Sequence, residues 1–86
     1  MKPIDFVTLS LMDKIRKLYE EGSFIVAIRY YRYKVNLYLM NNFYVEVFYN
    51  HKEDKIERIE LLDYSHSRFK FYADQIRLPD DMQLLP

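Results

Sequence analysis

No cysteine and no tryptophan occur among the 86 residues, and a single glycine, Gly22, stands beside three prolines. Without cysteine the chain has no disulfide, no thiolate nucleophile and no cysteine-based zinc site. One glycine is too few for a glycine-rich phosphate loop. None of Ser10, Ser23, Ser65 and Ser67 sits in a Gly-x-Ser-x-Gly nucleophile elbow. Charge of one sign is lacking too: 13 Lys and Arg balance 13 Asp and Glu. That balance weakens nonspecific attraction to nucleic acid or to a membrane surface, which rests on a net basic field. No apolar run approaches the ~20 residues that span a bilayer. No secretory h-region follows Met1-Lys2-Pro3, so the cytoplasm is the expected compartment.

What is present is apolar and aromatic. Half the residues are hydrophobic and 30% are charged, with nine tyrosines and six phenylalanines. This is the composition of a folded domain. At this length one core is expected, over residues 1–86, with 79–86 as a tail. A chain of this size buries only roughly 60–65% of its unfolded surface, so a partner or a second copy would help it.

Hydrophobic spacing predicts a helix over 5–20, where Val7, Leu11, Ile15 and Leu18 share a face with Met12 and Tyr19. Gly22 falls where a left-handed residue would close that helix, and Pro3 suits its lead-in. The period then changes to two. Strands are predicted at 24–28, 35–40, 43–49 and 55–62, separated by short turns. Ser65 or Ser67 is a candidate N-cap for a second helix with Phe69, Tyr72, Ala73 and Ile76 on one face, ended by Pro79. The expected fold is therefore α+β: an N-terminal helix packed on a four-stranded antiparallel β-meander, followed by a short C-terminal helix.

Loop length decides which side chains share a sheet face. A two-residue loop at Asn41-Asn42 would place Glu46 with Leu37 and Leu39. A three-residue loop, Met40 to Asn42, pairs Leu39 with Phe43 and Leu37 with Val45 and leaves one face wholly apolar under the helix. The three-residue loop is the expected one, and Ile59 and Leu61 then align with Val45 and Phe43. The opposite face would carry Arg29, Tyr31, Tyr38, Tyr44, Glu46, Phe48 and Arg58, with Glu46 opposite Arg58.

That mixed aromatic and polar face is the expected interaction surface, because Tyr, Phe and Arg are enriched at interface centres. The expected role is a small non-enzymatic module that docks a protein partner or forms a homodimer. The competing possibility is that the C-terminal helix folds back over the same face. A second functional class is single-stranded nucleic-acid binding, with Arg29, Arg32 and Lys34 meeting phosphates beside aromatic rings. A third is metal-free RNA cleavage using His51 and His66. In size the chain is similar to the small RNA-cleaving toxins of toxin–antitoxin pairs, with no motif in common. The two histidines lack metal-ligand spacing, so no metal, cofactor or catalytic residue is assigned.

Overall fold

The computed structural model describes residues 1–75. Two short helices, α1 (Pro3–Val7) and α2 (Leu11–Glu21), precede four strands: β1 (Gly22–Tyr30), β2 (Tyr33–Met40), β3 (Phe43–Asn50) and β4 (Lys55–Leu61). A third helix, α3 (Phe69–Gln75), follows. The strands form one antiparallel sheet in the order β1-β2-β3-β4, which gives the expected α+β meander. Ile76, Pro79 and the tail at 79–86 lie outside the described residues.

The single N-terminal helix expected over 5–20 is broken in two. Ser10 caps α2, its hydroxyl accepting a bond from the Asp13 N–H at 3.2 Å, while the Thr8 hydroxyl donates to the Asp5 carbonyl. Both residues offer the backbone a partner outside the helix. The break turns Phe6 into the core, where it is fully buried edge-on to Phe43. Pro3 is inside α1 after all, at the first helical position, where its missing N–H is harmless.

Gly22 is extended, with φ −83° and ψ 150°, and not left-handed. Its reason is space. A Cβ there would lie 2.8 Å from the Leu18 carbonyl oxygen, so only glycine lets β1 leave α2 without a gap.

The register differs from the expected one by a single residue, and that difference reassigns a face. Met40 pairs with Phe43 and Leu37 with Glu46, so the β2–β3 loop is the two-residue turn Asn41-Asn42. Asn41 takes the left-handed conformation, with φ 51°, which Asn tolerates. Leu37 and Val35 therefore share a face with Tyr44, Glu46 and Phe48, whereas Phe43, Val45 and Val47 join Met40 on the other. Ile59 and Leu61 do share the face of Val45, opposite Val47 and Val45 respectively. The first hairpin turns at Tyr31-Arg32, with Arg29 opposite Lys34. Its leading residue, Tyr31, has φ 56° and is exposed.

The three-residue loop rests on one sheet face being wholly apolar. Helical or loop segments pack on both faces of the sheet, and β3 is buried almost throughout. One cluster joins Phe6 and Leu18 to Met40, Phe43, Val45, Val47 and Ile59. The other joins Ile28, Val35, Leu37, Tyr44 and Phe48 to Leu62 and Tyr72. The sheet thus lies between α1–α2 on one side and the 62–75 segment on the other. The Lys14 ammonium, which donates to the Ile59 carbonyl at 3.3 Å, ties α2 to β4.

Gly22→Ala tests the close approach of α2 and β1. It should lower unfolding free energy by about 1–3 kcal/mol, read as a shift in the urea midpoint with an unchanged slope. A neutral substitution would mean that the α2–β1 junction shifts freely.

Candidate functional site

Glu46 sits in the middle of β3 and is fully buried. The chain reaches it from far away in sequence. After β4, Asp63 makes a tight turn by accepting bonds from both the N–H and the hydroxyl of Ser65. Ser65 is therefore part of this turn, which brings the chain back across the sheet to Arg68 and α3. The Arg68 guanidinium meets the Glu46 carboxylate in two parallel bonds, Nε to Oε2 and Nη2 to Oε1, each 2.8 Å. The Tyr72 hydroxyl donates a third bond to Oε2 at 2.7 Å.

Further groups hold the guanidinium from its other sides. It lies 5.1 Å from the ring centres of both Tyr30 and Phe48. His66 packs edge-on to Tyr30, and its Nδ1 accepts the Arg68 backbone N–H at 3.0 Å. The bond to Glu46 drives the Arg68 pKa above its usual value, so the guanidinium stays charged. Burial, followed by the Glu46 charge, drives the Tyr72 phenol well above its usual value.

This arrangement overturns one sequence expectation. Glu46 does not pair with Arg58: it stands opposite Glu60, and Arg58 stands opposite Phe48. Arg58 covers the Phe48 ring at 4.0 Å and pairs with Glu60 at 3.4 Å. Both Glu46 oxygens are bonded, and the side chain is fully buried.

The seven residues expected on one surface are dispersed. Tyr44, Glu46 and Phe48 are buried inside the domain beneath the C-terminal segment, with Arg58 exposed at the border of that face. Arg29 and Tyr38 point to the opposite face, and Tyr31 is at a turn. His51 is exposed in the turn after β3 and makes no bond or ring contact with His66. Among the described residues no three His, Asp or Glu side chains gather as a metal site requires, and no helix is long and apolar enough to cross a membrane.

Of the three cations considered for phosphate contacts, Arg32 is engaged. It donates to the Tyr33 hydroxyl at 3.2 Å, and Tyr33 donates in turn to Glu57 at 2.8 Å. Asn50 donates to the other Glu57 oxygen at 2.6 Å. These bonds, Asn50's first, hold the Glu57 carboxyl below its usual pKa.

Arg29 and Lys34 differ. They are cross-strand neighbours on the face of α2, both exposed, and among the described residues neither forms an ion pair with a carboxylate. Next to them a groove of about 370 Å³ opens between α2 and the sheet, with Ile15 and Tyr19 above and Phe24, Tyr38, Val47 and Ile56 below. Sequence reasoning missed this groove because it depends on the register and on the short length of α2. No family model, curated protein sequence or solved structure matches the chain.

Arg68→Met alone strands a buried carboxylate and should cost about 3–5 kcal/mol, whereas Glu46→Met with Arg68→Met should recover most of the loss. A double-mutant cycle in urea measures both, and simple additivity would disprove the coupling. The Tyr72 proton predicts an alkaline effect as well. Its folded pKa is raised, so its contribution is complete below the unfolded value of 10.0 and falls away as pH rises above it. Tyr72→Phe should flatten that decline in a pH series of thermal melts.

Proposed function

We propose that this chain is a small non-enzymatic self-associating module that pairs the outer edge of β1 with β1 of a second copy. The contrast between the two edge strands carries this reading. β4 has four charged residues in seven (Lys55, Glu57, Arg58 and Glu60), as a strand protected against pairing does. β1 has nine residues and one charge, Arg29. A bulge interrupts it between Phe24 and Val26, leaving the regular stretch Val26–Tyr30 with unpaired backbone groups along the outside.

Two copies of that stretch, related by a two-fold axis at Ile28, form an antiparallel ladder. Arg29 then faces Ala27 of the second copy, and no like charges meet. Zero net charge leaves little long-range repulsion to oppose association. The cytoplasm is the setting we take for it. The expected aromatic surface is unsuitable for this role, since its central residues are buried under the C-terminal segment. Nucleic acid is the weaker alternative. Two free cations neutralise about two phosphates, too few for a track along a strand.

Ala27 tests the pairing with opposite signs. Ala27→Lys places a cation against Arg29 at two symmetric points and should raise the dimer dissociation constant roughly tenfold, at about 0.2–1 kcal/mol per pair. Ala27→Glu should lower it. Light scattering coupled to size exclusion reads both. A wild-type monomer throughout the micromolar range would refute the proposal.

A further inference from the structure

The α2 face of the sheet carries a feature that edge pairing does not use. Pairing through β1 extends the sheet sideways and leaves this face open. Along β2 its outward residues run Tyr38, Asn36, Lys34, and along β1 Phe24, Ala27, Arg29. The apolar groove occupies the Tyr38 and Phe24 end. Arg29 and Lys34 occupy the other, with only the small Ala27 and the polar Asn36 between.

The two cations are anomalous. Like charges directly opposite each other destabilise a sheet, and among the described residues the ion-paired carboxylates are bonded elsewhere: Asp13 to Arg16, Glu21 to Lys17, Glu53 to Lys55, Glu60 to Arg58 and Glu46 to Arg68, while Asp54 accepts from the hydroxyl of Tyr49, the β3 neighbour of Lys34. One anion lodged between Arg29 and Lys34 would turn this repulsion into two charge-assisted bonds.

We infer that the groove and the Arg29–Lys34 pair together form a binding site for a single-chain fatty carboxylate, its hydrocarbon in the groove and its headgroup between the two cations. Size and charge both fit. A groove of about 370 Å³ holds roughly a dozen methylenes, at about the ~30 Å³ of a water molecule each. The volume is also within the usual range for small-molecule sites. Lys34 precedes Tyr38 by four positions along β2, which separates their Cα atoms by about 13 Å on an extended strand, within reach of a ten- to twelve-carbon chain lying partly in the groove. Phe24 and Tyr38, edge-to-face at 5.7 Å, form one wall. Tyr19, 91% exposed, is free to close over the chain from α2.

Titration with decanoate below its micellar range, followed by calorimetry and by amide shifts, tests the site. The expected result is saturable one-to-one binding, with shifts at Phe24, Tyr38 and Lys34. Decanol, which has the chain without the charge, should bind at least about tenfold more weakly, and acetate, which has the charge without the chain, should not bind measurably. Lys34→Glu with Arg29→Gln should abolish the preference for the acid over the alcohol. Both positions are exposed, so the fold is retained, and the acid–alcohol comparison on the unaltered protein stands without them. Equal affinity for decanoate and decanol, or no saturation, would overturn the proposal. So would sedimentation with anionic vesicles by a protein that ignores the free acid, which would make the surface a membrane contact.

Discussion

The buried ion pair between Glu46 and Arg68 determines most of the architecture. A carboxylate in the centre of a central strand, sealed from water, is tolerable only if its full charge is met. The three bonds from Arg68 and Tyr72 meet it. Both donors come from the segment after β4, so that segment is drawn across the sheet. Phe69 and Tyr72 then pack on Leu37, Tyr44 and Phe48 as part of one core cluster. Apolar contact alone would hold α3, a helix of seven residues, at many positions. The two-pronged fit of guanidinium to carboxylate permits one.

The same pair explains how the sheet tolerates Glu46 opposite Glu60. Two carboxylates in direct cross-strand register would ordinarily repel. Each has its own arginine, Arg68 on the buried side and Arg58 on the exposed side. Arg58 also lies over Phe48 and closes that ring off from water at the sheet border. Charge is therefore neutralised locally, which suits a chain whose total charge is zero.

Element types were legible in the sequence; their faces were not. Periodicity located all four strands and α3 to within a few residues, because alternation and turn residues are local signals. The break in the N-terminal helix was also written locally, in Ser10 and Asp13 at cap spacing. Face assignment depends instead on whether a loop has two residues or three. The three-residue loop follows only if a single face takes all the apolar residues. The run Phe43-Tyr44-Val45-Glu46-Val47-Phe48 argues against that, since apolar sequence interrupted only by Glu46 marks a strand buried on both sides. Glu46 was conspicuous from the start. Its partner was not, because Arg68 lies 22 residues away in a stretch with no periodic pattern, and Arg58 was nearer at hand. The groove was invisible for a similar reason, since no local signal records where a helix fails to reach.

The two faces of the sheet are covered unequally, and helix geometry explains why. A strand of eight residues runs about 26 Å, whereas α2, with eleven, runs about 16 Å. α1 adds one turn more, and both sit toward the Met40–Phe43 end, where Phe6 and Leu18 are buried. Among the described residues no helix covers the opposite end of that face, and there Ala27, Arg29, Lys34 and Asn36 replace the large apolar residues found beneath α2. On the other face a salt bridge pins the covering segment in place. A domain this small has helix enough to seal one face and half of another. The open half and the uncharged β1 edge are where its surface departs most from that of an inert monomer, and any contact with another molecule should be sought there.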